Sequence, residues 1–365
     1  TVASSMTGTS TPISAATLTN FTVGGSGTPT LEYTGAAASG TRTMQMGTTG
    51  GSEARAMNFK VSAGSATLAI AASSNLKDID FTGFSGTHTA TARTIYGNVT
   101  ISSGMTLNAG ATTWTFAATS GTKTITSNGK TFDFPVTFNG VGGTWQLQDA
   151  LTVGSTRTVT LTNGTIDANI YNFTLALFSS SGTGTRSVKF GTATWTVSGS
   201  GTAWDCSTST NMTTTQGSAT ITMTNALAKT FAGGGLTYPT LNQGGAGDLT
   251  ISGDNTFANI TNTTQPVSVI FTSGSTQTFT AFSLSGTSGN LVTIGSTTTS
   301  QHTLTMATGT VSVSYCTISY SNATGGASWQ AYTVNGNVDG GNNTGWLFSA
   351  VVAYNGYVGF FSFFQ

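Results

Sequence analysis

The feature that most constrains the fold is a regular alternation of apolar and hydroxyl residues in short runs. In RTVTLTNGTIDAN (157–169), SATITMTNA (218–226) and GTVSVSYCTISYSNA (309–323), Val, Ile, Leu, Met or Tyr alternates with Thr or Ser. A period of two is typical of β-strands with one buried face, and Asn-Gly, Ser-Gly and Gly-Gly pairs supply the turns between them. Because no segment has a convincing helical period, the sequence predicts an all-β chain.

A longer repeat lies on top of this alternation. Phe257 and Ile260 recur as Phe279 and Phe282, an offset of 22, and the Ser-Gly pair before them recurs after 21 positions. This length fits one coil of a stacked repeat. The sequence therefore favours a parallel β-helix, or β-solenoid, of about 21–22-residue coils. The alternative is a set of β-sandwich domains, whose strands also recur at short intervals.

The repeat also suggests where the chain divides. Residues 1–60 repeat less clearly and are interpreted as an N-terminal β cap or a small separate β unit. Residues 61–346 form the predicted solenoid, and residues 347–365 form a C-terminal aromatic tail. Asn355-Gly356 within the tail is a turn signal, so we expect a strand or hairpin there.

Charged side chains are scarce. They make up 6% of the 365 residues, with 11 basic and 11 acidic groups and no net charge, against about 25% in an ordinary soluble domain. Nucleic-acid binding needs a clustered basic face, and binding to an anionic membrane surface needs a basic amphipathic stretch, so neither partner is expected. Disorder of the whole chain is not expected either, because the apolar residues are abundant and regularly placed.

The few ionisable groups do not form a convincing catalytic or metal site. Asp78 and Asp80 are a close acid pair on a predicted strand, but an exposed acidic pair is the commoner explanation. His88 and His302 lie far apart without ligand-like neighbours, and His302 is interpreted as a residue of the solenoid surface. Asp248 follows a Gly-rich stretch that departs from the calcium-binding repeat of β-rolls. The sequence therefore predicts no catalytic residue, no metal and no cofactor.

Two further features have structural interpretations. The segment NVDGGNNTGWLF (337–348) holds the isolated acid Asp339 among Gly and Asn, which is typical of turn chemistry more than of an ion site. Cys206 and Cys316 lie in separate strand-like runs, and two buried thiols are favoured over one disulfide.

The six tryptophans divide into two groups. Trp114, Trp195 and Trp204 lie in alternating strands, which predicts a place in the core. Trp329 and Trp346 lie in the loop-rich final part of the chain and are predicted to be exposed surface contacts, for example with sugars.

The C-terminal tail LFSAVVAYNGYVGFFSFFQ is apolar on both faces of any strand it forms. Leaving a Phe side chain exposed forgoes about 1.5–3 kcal/mol of burial free energy, so several such rings imply a partner. The favoured partner is another copy of the chain or another protein of the same assembly, and packing on its own solenoid and membrane insertion are the alternatives. The predicted assembly contacts are Tyr357, Phe360, Phe361, Phe363 and Phe364.

The succession KTFAGGGLTYPTL, TISGDNTFANITNT, FTSGSTQTFTAFSLSGTSGNLVTIGS, GTVSVSYCTISYSNATGGASW and NVDGGNNTGW resembles the Gly/Ser/Thr-rich β-helical repeat proteins of bacteriophage particles. Similar repeats occur in bacterial surface proteins. The likeness covers about residues 110–346 and is best over 229–348. It implies an extracellular or virion-borne structural protein such as a tail-fibre or spike component, although a likeness of repeats specifies function poorly.

The sequence therefore predicts a non-enzymatic structural protein that assembles with other copies of itself or with other particle or filament proteins. Adhesion to cell-surface glycans is a further expected role. The alternatives are a self-assembling bacterial surface filament subunit or adhesin, and a glycan-cleaving β-helical tailspike enzyme. The first residue is Thr1, which we interpret as a processed N-terminus or the start of a fragment.

Overall fold

The computed structural model describes residues 13–17, 28, 30–33, 41–49 and 51–349. Within these residues the secondary structure is β, apart from one 3₁₀ turn at Thr333–Asn335. The strands stack in parallel as a β-solenoid of about 13 turns with a spacing of about 22 residues. The solenoid prediction is thus confirmed, and the sandwich alternative, which requires antiparallel sheets, is wrong.

Thirty-eight strands are described, and most are short because a corner follows every few residues. The first are β1 (Ile13–Thr17), β2 (Thr30–Tyr33), β3 (Thr41–Thr49), β4 (Met57–Val61), β5 (Thr67–Ile70), β6 (Ser74–Asp80), β7 (Thr87–Thr89), β8 (Arg93–Ile95), β9 (Val99–Thr100), β10 (Thr106–Asn108), β11 (Trp114–Phe116), β12 (Thr122–Thr126) and β13 (Thr131–Phe132).

The middle of the rod contains two long strands that turn a corner without ending. Its strands are β14 (Val136–Leu147), β15 (Leu151–Val153), β16 (Thr158–Asp167), β17 (Phe173–Leu175), β18 (Leu177–Ser179), β19 (Arg186–Lys189), β20 (Thr194–Val197), β21 (Gly201–Asp205), β22 (Met212–Thr215), β23 (Thr220–Met223), β24 (Lys229–Ala232), β25 (Thr237–Tyr238) and β26 (Thr240–Gln243).

The last strands lead to the final described coil. They are β27 (Leu249–Ser252), β28 (Thr256–Asn262), β29 (Val267–Phe271), β30 (Thr276–Ser283), β31 (Val292–Ser296), β32 (His302–Met306), β33 (Thr310–Ser312), β34 (Cys316–Ile318), β35 (Ser321–Thr324), β36 (Ser328–Gln330), β37 (Val338–Asp339) and β38 (Trp346–Leu347).

Strand pairing defines three faces along the rod. The first face runs β8–β11–β14–β16–β18–β21–β24–β27–β29–β31–β34–β37. The second face runs β9–β12–β14–β16–β19–β22, through the later halves of β14 and β16. The third face runs β13–β15–β17–β20–β23–β26 and on into the later halves of β28 and β30.

The repeat read from the sequence matches the register of the coils. Phe257 of β28 pairs with Phe279 of β30, and Ile260 pairs with Phe282. The rings of Phe257 and Phe279 stack with centroids 5.9 Å apart. A residue therefore packs on its counterpart one coil later, as the predicted solenoid requires.

The core is a column of stacked side chains along the axis. Trp204 lies between Phe178 and Phe231, with ring centroids 4.2 Å and 5.6 Å away, in three successive coils. Trp114, Trp195 and Trp204 are fully buried, which confirms their predicted place in the core. Each ring gains both hydrophobic burial and an aromatic contact from the coils above and below.

The strands described before residue 61 belong to parallel ladders of the same kind. β2 pairs with β4, and β4 pairs with β6, which leads into the first and second faces through β8 and β9. β1, β3, β5, β7 and β10 form a separate parallel ladder. Strand pairing is therefore continuous across the boundary predicted at residue 60.

Candidate functional site

The two tryptophans predicted to be exposed are buried. Trp329 is 2% exposed and Trp346 is 7% exposed. Their ring centroids lie 5.1 Å apart, and Phe282 packs against both. The Trp346 indole N–H donates to the hydroxyl of Ser321 at 3.0 Å. The prediction of an exposed contact at these two residues is wrong, because successive coils stack the rings on each other in the core.

The predicted assembly contacts lie outside the described residues. Tyr357, Phe360, Phe361, Phe363 and Phe364 all follow Ser349, the last residue that the structure describes. The strand or hairpin predicted for the tail lies there too. The contacts and the strand predicted for the tail therefore stay predictions.

The acid pair of the sequence serves coil and turn contacts. Asp78 Oδ1 accepts the backbone N–H of Asn98 at 2.7 Å, and the Asp78 N–H donates to Asn58 Oδ1 at 3.3 Å. These three residues form a column in which each side chain bonds to the backbone of the next coil. Asp80 Oδ1 accepts the N–H of Thr82 at 2.7 Å and so closes a local turn. Both carboxylates therefore have structural partners.

Two other acids, Asp133 and Asp149, are 16 residues apart, which does not match the length of one coil, and they also have structural partners. Asp133 Oδ1 lies 2.8 Å from Arg157 Nε in an ion pair. Asp149 accepts the Ser127 N–H at 2.8 Å and the Ser127 hydroxyl at 3.0 Å. Among the described residues, no three His, Cys, Asp or Glu side chains lie together in a way that could hold a metal ion.

Both histidines are fully buried. His88 Nδ1 lies 2.8 Å from the carbonyl oxygen of Leu68, and its Nε2 accepts a hydrogen bond from Arg93 Nη2 at 3.0 Å. Burial, together with the charge of Arg93, lowers the pKa of His88 to about 3. The prediction of a surface position for His302 is wrong, since its ring packs on Phe271 with centroids 4.8 Å apart. Burial lowers the pKa of His302 to about 4.

Buried cations at the starts of strands were missed by the sequence analysis. Arg186 is 1% exposed, and its Nη2 donates to the carbonyl oxygens of Thr208 and Thr210 at 3.0 Å and 2.7 Å. Lys229 is also 1% exposed, and its ammonium group donates to the carbonyl oxygen of Gly247 at 2.7 Å. Burial lowers the pKa of Lys229 to about 8. A carbonyl oxygen of the glycine-rich stretch before Asp248 thus accepts a hydrogen bond from a lysine of the preceding coil.

The loop around Asp339 forms turns. Asp339 Oδ1 accepts the N–H of Gly341 at 2.9 Å and the side-chain amide of Asn343 at 2.7 Å. Asn343 Oδ1 accepts the backbone N–H of Ser321 in the preceding coil at 3.0 Å. Asp339 Oδ1 and Asn343 Oδ1 are therefore both engaged in turn and coil contacts, as the turn interpretation predicts.

The last described coil exposes aliphatic side chains at an open end of the ladder. Val334, Val338 and Leu347 are 84%, 45% and 41% exposed. Among the described strands, β37 pairs with β34 alone and β38 pairs with β36 alone. The outer edges of β37 and β38 thus have no described partner, and the aromatic tail begins directly after them.

The remaining observations concern membranes and known proteins. No helix of the described chain is long and apolar enough to cross a membrane. No protein-family model matches the chain, and neither the curated proteins nor the solved structures include a significant match. The candidate sites therefore rest on the geometry of this chain.

Proposed function

We propose that the chain is a non-enzymatic structural protein, a rod that forms part of an extracellular fibre, a surface filament or a phage particle. Its partners are other copies of itself or other proteins of the same assembly. The observation that carries the proposal is the C-terminal end of the solenoid. There a ladder edge without a partner among the described strands lies beside exposed Val334, Val338 and Leu347, and the aromatic tail follows in the sequence.

A solenoid end of this kind favours strand addition. Edge strands carry free N–H and C=O groups that pair readily with another chain, and natural proteins protect them with charge, proline or a covering segment. The last two strands contain one charged residue, Asp339, whose carboxylate is engaged in its own loop. The apolar side chains beside the edge add hydrophobic burial to the backbone hydrogen bonds of an added strand.

A structural role also agrees with the chemistry of the acids. Glycoside hydrolysis needs two convergent carboxyl groups at a defined separation. Asp78, Asp80, Asp133 and Asp149 instead hold backbone N–H groups, a hydroxyl group or an arginine. Asp78, Asp133 and Asp149 join adjacent coils in this way, and Asp80 closes a local turn, so the contacts of these carboxylates support a structural use.

Sedimentation velocity and negative-stain electron microscopy of the full chain test the proposal. We expect concentration-dependent oligomers or filaments from the unmodified protein, and loss of assembly in the double variant Val338→Asp, Leu347→Asp. Leu227→Asp is the matched control, because Leu227 is 67% exposed but lies far from the C-terminal end in the sequence. A monodisperse monomer at all concentrations, or equal assembly of all three proteins, contradicts the proposal.

A further inference from the structure

The third face carries an unbroken column of small polar side chains. Its positions are paired one coil to the next without a register shift. The column passes through eight strands and consists of Thr131, Thr152, Thr174, Thr196, Thr222, Asn242, Thr261 and Ser283. At 4.7–4.9 Å between neighbouring strands, it is about 30–35 Å long.

A second column runs beside the first in the middle of the face. Thr194, Thr220 and Thr240 each precede a member of the first column by two residues and pair with one another. The residues between the two columns, among them Trp195 and Ile221, point inward and are buried, so the threonines of both columns point outward. Asn242 is the exception, because it is 6% exposed and its Oδ1 accepts the hydroxyl group of Thr261 at 3.0 Å. Neighbours within a strand are about 6.5 Å apart and those between strands about 4.8 Å apart. The hydroxyl groups of Thr194, Thr196, Thr220, Thr222 and Thr240 thus form a small rectangular grid. Thr174, Thr152 and Thr131 extend it as a single row.

The grid is rigid. The β-branched side chain of Thr is restricted at χ1. The backbone of β20, at the centre of the grid, is held by a ladder on both sides. Each threonine places one hydroxyl and one methyl group at a repeating position. A surface preorganised in this way loses little conformational entropy when it binds a partner with the same repeat.

The chemistry of the face excludes most partners. The strand segments that form it contain no Asp, Glu, Lys or Arg, so it has no means of holding nucleic acid or a charged lipid surface. None of the large exposed apolar side chains of the described chain lies in these strands, so the face also lacks the anchors of a protein interface. All six Trp side chains of the protein are buried, which leaves no indole platform for sugar rings.

We propose that the third face binds ice. Hexagonal ice presents oxygen atoms in rows whose spacings are close to the two spacings of this grid. The hydroxyl groups hold first-layer waters in register with those rows, and the methyl groups between them limit the positions that these waters occupy. Many water-mediated contacts, each weak, add along the length of the face. This activity goes beyond the proposed structural role and does not depend on assembly at the C-terminal end.

The test compares two matched tyrosine variants of the full chain. Thr196→Tyr places a large ring in the centre of the grid, between Thr174 and Thr222. Thr165→Tyr places the same ring on the second face, where Thr165 is equally partly exposed and its strand carries the ion pair of Asp167 with the next coil. Tyrosine is a favourable strand residue, so both variants are expected to fold, and circular dichroism with urea unfolding verifies it.

The readouts are the share of fluorescently labelled protein taken into a slowly growing ice crystal, and thermal hysteresis. The unmodified chain and Thr165→Tyr are expected to enter the ice and to show hysteresis, while Thr196→Tyr is excluded to the level of a non-binding protein. Exclusion of the unmodified chain, or an equal loss in both variants, overturns the proposal. Binding to crystalline polysaccharide above freezing without uptake into ice, or a dimer that Thr196→Tyr abolishes without uptake into ice, overturns it as well.

Discussion

His302 makes the stability of the rod sensitive to mild acid. It is the first residue of β32, points into the core against Phe271 and is fully buried. Neither ring nitrogen has a hydrogen-bond partner among the described residues. A protonated imidazole there would be a buried charge without compensation, and burial therefore lowers its pKa to about 4.

The size of the effect follows from the two pKa values. In the unfolded chain the imidazole takes up its proton near pH 6.5, and in the folded chain near pH 4. Between these values the unfolded state binds more protons, so the free energy of unfolding falls as the pH falls. His302 lowers the free energy of unfolding by about 2 kcal/mol at pH 5 and by about 3 kcal/mol below pH 4, and it has no such effect above about pH 7.

His88 contributes a similar loss in the same range, because its pKa is lowered to about 3. The pKa values of Glu32 and Glu53 are also lowered from 4.5, so these carboxylates lose their stabilising effect mainly below the range of interest. The difference in unfolding free energy between pH 7 and pH 5 therefore reports mainly the effect of the two histidines. We expect His302→Phe, which keeps a ring without a proton, to remove about half of the loss, or about 2 kcal/mol.

Two measurements check this. The chain has only two histidines, so labelled imidazole carbons give two NMR signals, and the His302→Phe variant assigns them. Neither signal is expected to titrate above pH 5 in the folded protein. Urea unfolding at pH 7 and pH 5 then gives the difference in free energy. A folded-state titration near pH 6.5, or an equal pH-dependent loss in His302→Phe and the unmodified chain, refutes the reasoning.

Three further predictions concern the coil corners, the core and the tail. Gly191→Ala should lower the urea midpoint more than Gly274→Ala: both glycines have positive φ, but a Cβ at Gly191 would overlap a backbone carbonyl of the preceding coil, whereas one at Gly274 meets nothing within 4 Å. Equal effects would contradict a clash between coils. Trp204→Ala should destabilise the rod by about 3–5 kcal/mol in urea unfolding, because it opens a cavity in the ring stack; a change below about 1 kcal/mol would mean that the stack contributes little. Phe361→Ser with Phe364→Ser should reduce oligomer formation in sedimentation velocity, and unchanged oligomers would remove the tail from the interface.

The coil length was predictable because side chains of the same type recur in register. Phe257 and Phe279 are large, rare among Thr and Gly, and separated by one coil, so their repeat is visible in the sequence. The face on which a strand lies was not visible. ATTWTF (111–116) and TATWTV (192–197) are similar in sequence, yet Trp114 lies on the first face and Trp195 on the third. The alternation is the same on every face, so it carries no information about which face a strand joins.

The errors at Trp329 and His302 have a common physical cause. Trp329 lies in a short strand with Ser328 and Gln330, and His302 is itself a polar residue at the start of its strand, so residue type indicated a surface. The alternation of inward and outward residues along each strand indicates the correct position. Trp329 stands between two partly exposed residues, and His302 lies two positions before the buried Leu304. In a solenoid, position in the alternation outweighs polarity, because the adjacent coils supply apolar rings on both sides of an inward side chain.

The scarcity of charge follows from how the coils are joined. Backbone ladders and Asx side chains connect each coil to the next on the faces described. Buried cations such as Arg186 and Lys229 donate hydrogen bonds to carbonyl oxygens of the adjacent coil. Surface ion pairs would add little to such contacts, since an exposed pair contributes about 0–1 kcal/mol. The outer positions can therefore be filled by threonine without loss of stability. A rod without net charge also lacks the repulsion that keeps proteins apart, so the same composition that permits an uncharged grid on the third face favours association at the open end.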